Sequence, residues 1–111
     1  MRLSVLDLVP VRTDQSTSDA VAATTLLAQT ADQLGYTRYW LAEHHNSASL
    51  SCAAPGILAG QVASITQRIR VGTGGVMLSH YSPLKVAESF RMLETLHPRR
   101  IDLGIGRAPG S

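Results

Sequence analysis

The stretches IRVGTGGVML (Ile69–Leu78), SPLKVAESFRMLETLHP (Ser82–Pro98) and IDLGI (Ile101–Ile105) follow one another along the chain and decide its fold. The first and third are short and apolar, as buried strands are. Ser82 offers an N-cap and Pro83 fits the first helical position. An apolar stripe continues that helix: Leu84, Ala87, Phe90, Leu93 and Leu96. We therefore predict a strand–helix–strand unit.

The same alternation extends upstream. Further strands are predicted from Leu3 to Val9 and from Tyr39 to Ala42, with helices from about Asp19 to Leu34 and from about Ala54 to Ile65. Three signals bound the first helix: a capping box formed by Ser16 and Asp19, an apolar face with Leu27, Ala31 and Leu34, and a left-handed cap at Gly35.

The order β-α-β-α-β-α-β implies parallel strands joined by right-handed crossovers. An open doubly wound sheet and part of a closed (β/α)₈ barrel both satisfy it. In either architecture the ligand site forms at the carboxyl ends of the strands. Polar and glycine-rich residues collect there: Asp7, Glu43-His44-His45, Gly74-Gly75 and Gly106-Arg107.

Composition bounds the function. The 111 residues are 44% hydrophobic and 16% charged, which is typical of one globular domain. The net charge of +2 is scattered and aromatic residues make up only 5%, so nucleic-acid binding is disfavoured, whereas small anionic ligands stay open. Cys52 is the single cysteine, so no internal disulfide forms. Without a signal sequence or a bilayer-length apolar run, we expect a soluble, cytoplasmic protein with no membrane partner.

Glu43-His44-His45 is the sharpest motif, because a carboxylate and two imidazoles exchange protons near neutral pH. Neighbours on a strand point to opposite faces, so His44 and His45 should have different roles. One alternative is that one histidine packs against a helix while the other meets solvent. A metal site that adds His80 is another, but the spacing lacks an i, i+4 helical histidine pair.

Glycines mark the last two strands. Gly72-Thr-Gly-Gly75 interrupts an apolar strand, which indicates close approach of a flat ligand, a strained peptide that only small residues allow, or a bulge or point of barrel curvature. Gly104-Ile-Gly106-Arg-Ala-Pro-Gly110 has the wrong spacing for a dinucleotide-binding loop. Arg107 is better placed to contact an anion, since guanidinium grips phosphate in fork geometry; a surface ion pair is its alternative.

Five collinear stretches resemble the bacterial luciferase-like flavin monooxygenases and together cover nearly all of the chain: Leu3 to Pro10, Tyr39 to Asn46, Arg68 to Leu78, Pro83 to Phe90 and Arg100 to Gly110. The resemblance implies a (β/α)₈ barrel that binds reduced FMN and activates oxygen. It implies that His44 is the catalytic histidine and Glu43 lies close to the flavin. It also implies a non-proline cis peptide at Gly74–Gly75 against the flavin ring and a flavin-phosphate contact from Arg107.

The family's usual Pro-Gly-Arg before the fourth strand reads Pro98-Arg99-Arg100 here. A full barrel needs about 250 residues, so residues 1–111 are expected to form one partial barrel domain, its N-terminal half, with strands one to four and helices one to three. We expect a fragment whose half-pocket binds flavin weakly or not at all.

The resemblance implies an oxidoreductase acting on a small organic substrate with oxygen, and a separate flavin reductase that supplies reduced FMN. A deazaflavin-dependent reductase of the same fold is the related alternative. The alternative from another class is a non-catalytic half-barrel that works only by self-association, since two copies could close eight strands into a homodimer.

Overall fold

The computed structural model describes residues 1–45, 52 and 54–107. The elements are β1 (Ser4–Asp7), α1 (Thr17–Gln33), β2 (Arg38–Leu41), α2 (Pro55–Ser64), β3 (Arg70–Met77), a 3₁₀ turn (Leu78–His80), α3 (Pro83–Leu96) and β4 (Ile101–Gly106). The small-residue loop Ser47–Ser51 and the last part of the Gly104–Gly110 motif lie outside the described residues. The alternation expected from the sequence is confirmed, and the 3₁₀ turn is an addition to it.

The four strands form one parallel sheet in the order β1-β2-β3-β4. Each crossover therefore moves the chain one strand in the same direction. Because parallel crossovers are right-handed, this progression places the helices on one face of the sheet. A doubly wound sheet needs a reversal of strand order, which the described strands lack. The sheet is thus the barrel type, and the expected partial barrel is confirmed.

The core lies between the sheet and its helices. Tyr39, Leu41 and Val71 project from the strands against small residues of α1 and α2, and all three are fully buried. A second, smaller cluster joins β3 to α3 through Val76, Phe90 and neighbouring residues. The opposite face of the sheet carries one row of paired residues, Leu6, Trp40, Gly72 and Asp102, that belongs to neither cluster.

Helix α1 has the predicted ends but a different buried face. Ser16 and Asp19 form the capping box, and Gly35 has φ 81°, so both terminal signals are confirmed. The expected apolar face is wrong for Leu27 and Leu34, which are 45% and 69% exposed. The face against the sheet is made of small residues, because these let the helix approach closely: Ala20, Thr24, Ala28 and Ala31.

Helix α3 shows the same kind of error. Its buried residues are Val86, Phe90 and Leu93, whereas Leu84 and Leu96 are exposed. The predicted stripe advanced three residues at a time, and each such step falls about 60° short of a full helical turn. Such a stripe drifts around the helix, while a mixture of three- and four-residue steps stays on one face.

Among the described residues, no helix has the length and apolar character required to span a membrane.

Two charged side chains close the amino-terminal end of the sheet. The Asp32 carboxylate at the end of α1 accepts hydrogen bonds from the backbone N–H groups of Gln67, Arg68 and Ile69 at 2.8–3.0 Å. The Arg100 guanidinium donates to carbonyls at the end of α2 and before β3, those of Ala63, Thr66 and Ile69. These contacts fix the loop that leads into β3.

Partial burial alone would raise the pKa of Asp32, but the three backbone donors, with a contribution from Arg100, hold that pKa below its ordinary value. A carboxyl group with a lowered folded-state pKa stabilises the fold at pH values above its unfolded pKa. That contribution disappears as the pH falls through the folded pKa. Asp32 should therefore stabilise the protein at neutral pH and lose this effect in acid.

Asp32→Asn is expected to lower the free energy of unfolding by about 2 kcal/mol at neutral pH, because charged hydrogen bonds are replaced by weaker or missing ones. Urea unfolding over a pH series measures this, and the difference from wild type should shrink below about pH 4. Asp14→Asn, in an exposed turn, is the control and should change little. A difference that grows in acid would contradict the explanation.

The turn before β4 carries a residue in the left-handed region. Arg99 has φ 61°, a conformation that an L side chain occupies at a cost of about 1 kcal/mol or more. Its backbone is held there, because Arg99 N donates to the Glu94 carboxylate and Arg99 O accepts from Arg70. Arg99 therefore replaces the glycine of the Pro-Gly-Arg pattern at a position whose positive φ favours glycine.

Arg99→Gly is expected to raise the free energy of unfolding by about 0.5–1 kcal/mol, since relief of the left-handed strain exceeds the extra entropy of the unfolded glycine chain. Chemical denaturation followed by circular dichroism measures the change. Arg99→Ala removes the same side chain but keeps the Cβ atom, so it should give no stabilisation. Equal stabilisation by both variants would show that the backbone conformation is not the cause.

Candidate functional site

The predicted site residues lie at one edge of the sheet. Pairing between β2 and β3 ends at Leu41 and Thr73, so Glu43 and His44 extend beyond β2 alongside the Gly74–Gly75 segment of β3. Met77 pairs with Gly106, and the exposed Arg107 follows directly. The structure thus brings all five predicted site residues to the carboxyl ends of three adjacent strands.

Glu43 is buried inside this edge. Its side chain is 0% exposed, and both carboxylate oxygens have protein partners. Oε1 accepts from Tyr81 Oη at 3.0 Å and from Met77 N at 3.3 Å. Oε2 pairs with His45 Nε2. Glu43 therefore links the end of β2 to the end of β3 and to the segment that follows it.

His44 and His45 have different surroundings. His45 contacts Glu43, and its ring lies against that of His80, with 4.6 Å between the centroids. His44 is half-buried and donates its backbone N–H to Cys52 O at 2.8 Å. Its Nδ1 atom is buried and has no hydrogen-bond partner within the described part of the chain. A buried imidazole nitrogen without a partner is uncommon in proteins, and a catalytic role is one of the explanations for it.

Metal and thiol chemistry find no support in the same region. In residues 1–45, 52 and 54–107, no group of three or more His, Cys, Asp or Glu side chains has an arrangement that could hold a metal ion. Burial raises the pKa of Cys52 to about 11, so its thiol stays protonated near neutral pH.

A cis peptide bond joins Gly74 to Gly75, at the position that the family resemblance implies. The register between β3 and β4 also shifts between Thr73 and Val76, so the bulge interpretation of these glycines holds as well. The two glycines face different surroundings. A Cβ atom at Gly75 would lie 2.7 Å from Gly106 N, whereas at Gly74, which is exposed, the nearest atom would be Trp40 Cβ at 3.3 Å.

Trp40 explains two other glycines, and the sequence analysis missed this. A Cβ atom at Gly72 would lie 2.7 Å from Trp40 Cζ3, and one at Gly104 would lie 3.4 Å from the same atom and 1.9 Å from Thr73 O. The indole therefore rests on glycines of β3 and β4, on the face without helices. The signal was available, because a large residue on one barrel strand needs small residues on the strands beside it.

Charged groups extend this face toward the amino-terminal end of the sheet. Arg38 lies over the Trp40 ring, with 5.6 Å from Cζ to the ring centroid. Arg38 and Arg70 both pair with Asp102, at 2.7 Å and 2.9 Å. Two guanidinium groups on one carboxylate leave this face with one excess positive charge.

Asp7 does not belong to the site, although the sequence analysis placed it with the other polar strand ends. Its side chain turns toward the helices, where Oδ2 accepts from Thr24 Oγ1 at 2.8 Å and from the Tyr39 hydroxyl. Oδ1 accepts from Val9 N at 2.8 Å, and Val9 has φ 50°. The carboxylate therefore fixes the turn after β1 to α1 and β2. Alternation along β1 explains the difference, since Leu6 and Asp7 must face opposite sides.

Tyr81 and Met77 are site residues that the sequence analysis did not single out. Burial, followed by the hydrogen bond to Glu43, raises the pKa of Tyr81 to about 12, so its hydroxyl stays protonated as a donor. Met77 contributes only its backbone N–H, which no side-chain pattern reveals. A tyrosine three residues after a strand end was the one visible signal.

Comparison with known proteins gives one consistent result. The sequence model described as luciferase-like monooxygenase matches residues 1–111. The N-acetyl-S-alkylcysteine monooxygenase of Bacillus subtilis (strain 168) is 48% identical over 110 residues, which cover 99% of this chain and 33% of that protein. The chain spans about a third of the length of the curated relatives it matches.

Solved structures agree with the fold. Apo-MsnO8 matches with a TM-score of 0.94 at 51% identity, covering 96% of this chain and 32% of that one. The oxygenating constituent of 3,6-diketocamphane monooxygenase from Pseudomonas putida, in complex with FMN, matches at 0.91 with 23% identity, covering 99% and 30%. The coenzyme F420 dependent tetrahydromethanopterin reductase of Methanopyrus kandleri matches at 0.76 with 20% identity, covering 99% and 27%. The last two show a shared fold alone.

Gly75→Ala is expected to lower the free energy of unfolding by about 2–3 kcal/mol, because its Cβ would meet backbone atoms of β4 that cannot move aside. In Gly74→Ala the added Cβ would lie 3.3 Å from Trp40 Cβ, a tight contact that a shift of a few tenths of an ångström relieves, so this variant should cost less than about 1 kcal/mol. Urea unfolding of the two variants gives the comparison. Equal losses, or a larger loss for Gly74→Ala, would contradict the packing that the structure shows around the two glycines.

Proposed function

The chain belongs to the luciferase-like monooxygenase family, and from this premise we propose that it is part of an FMN-dependent monooxygenase. In this proposal the protein uses reduced FMN and oxygen to oxidise a small organic substrate. His44 is the catalytic residue, and the Gly74–Gly75 segment and Arg107 contact the cofactor. The buried Nδ1 atom of His44, without a partner among the described residues, is the observation that carries the proposal.

The residues at the strand ends suit a flavin. The exposed Gly74 leaves backbone open at the edge where His44 lies, so a flat ring system could approach closely. Arg107, one residue beyond β4 and exposed, offers a guanidinium group of the kind that grips a phosphate. Reduced FMN, when bound, would supply the electrons that activate oxygen.

His44 would then serve as the proton-transfer group. Its ring is half-buried, and its backbone N–H is held by Cys52 O, so the imidazole is fixed at the edge of the sheet. A neutral imidazole can accept a proton at one nitrogen and donate from the other. Among the described residues no protein group fixes the proton state of the buried Nδ1 atom, so the half-buried His44 would be free to take up or release a proton when a ligand binds at its exposed part.

FMN is proposed in preference to a deazaflavin. One structural neighbour was solved in complex with FMN, and others are F420-dependent enzymes. The relative at 48% identity is named a monooxygenase, which requires reaction with oxygen. We further propose that a separate reductase supplies the reduced FMN. The absorption spectrum of the bound cofactor distinguishes the two cofactor classes.

A non-catalytic, self-associating half-barrel is the second candidate, and exposed apolar residues favour it. Leu6 on the helix-free face is 61% exposed, and Ile105 on the edge strand β4 is 60% exposed. Charge opposes closure by two copies, because each would bring the excess positive charge of Arg38 and Arg70 into one interior. Sedimentation at low and high salt tests this candidate, and a dimer that weakens at low salt would support it.

The proposed function is tested with the full-length protein encoded by the gene. Wild type should bind FMN and consume oxygen in a flavin-dependent manner. His44→Asn should leave FMN affinity within about twofold and lower turnover by about 10²–10⁴-fold, the usual contribution of a proton-transfer group. His97→Gln, at the opposite end of the sheet, is the matched control and should change neither.

Arg107→Ala tests the phosphate contact separately. It should weaken FMN binding by about 10–100-fold, since a charge-assisted hydrogen bond is lost, and leave the affinity for riboflavin, which has no phosphate, unchanged. Arg91→Ala on the exposed surface of α3 is the control. A full-length protein that binds no flavin and consumes no oxygen would overturn the proposed function.

A further inference from the structure

We propose that Glu43 is a positioning residue that does not touch the cofactor: its buried carboxylate joins His45, Met77 and Tyr81 into one unit that holds His44 and the Gly74 backbone in place. This inference rests on the proposed function and departs from the role that the family resemblance implies for Glu43. It assigns a task to two residues, Tyr81 and His45, that the proposed function leaves without one.

The Glu43 carboxylate is buried, and both of its oxygens have hydrogen-bond partners in the protein. The Glu43 side chain is 0% exposed, so no surface of it is open to a ligand. A carboxylate offers about four lone-pair positions, and protein donors occupy three of them. A cofactor contact would have to displace one of these donors, and a buried carboxylate that loses a donor is strongly destabilised.

Two of the donors to Glu43 come from the end of β3 and from the segment after the 3₁₀ turn. Backbone pairing between β2 and β3 stops at Leu41 and Thr73, and the register of β3 then shifts. Beyond that point Glu43 replaces the missing ladder by accepting from Met77 N, two residues after Gly75. Tyr81 adds a tie to the segment after the 3₁₀ turn. The carboxylate thus holds β2 and β3 together where the glycine segment leaves the regular sheet.

The contact between Glu43 and His45 also affects the orientation of the His44 side chain. Glu43 and His45 are two residues apart and their side chains contact each other, so both lie on one side of the chain and the side chain of His44 between them points away from that contact. The His45 ring also lies against the His80 ring, with 4.6 Å between the centroids. An imidazole fixed in this manner keeps its neighbour oriented, and the buried Nδ1 atom of His44 depends on that orientation.

The test uses the full-length protein and the variants Tyr81→Phe, Glu43→Gln and the double variant, with FMN as the ligand. If Glu43 works through Tyr81, each single variant should raise the KM for reduced FMN about 3–10-fold, and the double variant should lose no more than the larger single loss. The kcat at saturation should also fall, by less than about tenfold, because His44 loses its orientation but keeps its imidazole, in contrast to His44→Asn. Tyr36→Phe and Glu88→Gln are the matched controls.

A second measurement needs no flavin. Amide hydrogen exchange of the segment 74–80, measured by mass spectrometry on the flavin-free protein, should speed up about tenfold in Tyr81→Phe and in Glu43→Gln, because the β3 end loses its tie. The controls should leave it unchanged. Tyr81→Phe keeps the ring and loses only the hydroxyl, so it reports on the network even where Glu43→Gln folds poorly.

The possible outcomes distinguish a positioning role of Glu43 from a direct contact between Glu43 and the cofactor. Additive losses in the double variant, or weaker FMN binding in Glu43→Gln while Tyr81→Phe changes neither affinity nor exchange, would overturn the inference in favour of a direct contact. Unchanged exchange in both variants would overturn it as well. Absence of flavin binding in wild type would overturn the proposed function, and the exchange measurement would then decide on its own whether Glu43 holds the end of β3.

Discussion

Three crossovers of one hand, each advancing by one strand, determine the rest of this structure. They place the helices on one face of the sheet and bring all carboxyl ends of the strands to one edge. The core can then form only between the sheet and the helices, and the second face stays bare. The edge collects the ends of β2, β3 and β4, whose residues are far apart along the chain. Site and exposed face are consequences of the same connectivity.

The bare face is built as the interior of a barrel. Trp40 occupies the space above Gly72 and Gly104, so one large side chain is matched by small ones on the next two strands. Closer to the amino-terminal end, Arg38 and Arg70 share Asp102. One carboxylate between two guanidinium groups leaves a positive charge that a closed interior must neutralise. The remaining strands of a complete barrel would therefore have to bring an acidic group or several carbonyl acceptors to this layer.

The sequence predicted the elements, their order and the edge at which the site forms, because strand and helix signals are local. It did not predict the features that depend on tertiary packing. The helix faces of α1 and α3 were predicted only in part: Ala31, Phe90 and Leu93 are buried as expected, whereas the other leucines of the two predicted faces are exposed. Asp7 lies on the helix side of the sheet, because alternate residues of a strand face opposite sides. A shift of one residue in the register would exchange the two sides, and the register is not visible in the sequence of a single strand. Met77 takes part through its backbone, which no residue pattern reveals.

The motif Glu43-His44-His45 shows why adjacent residues of suitable chemistry do not share one task. An extended chain presents only alternate side chains to a given space, so a three-residue motif cannot aim all its groups at one ligand. In this chain the side chains of the outer two residues contact each other, and His44 between them keeps a buried Nδ1 atom that has no partner among the described residues. Pairing of Glu43 with His45 therefore commits these two side chains to each other and leaves the His44 imidazole for the proton transfer proposed above. In that proposal the flanking residues of the motif serve to orient the middle one.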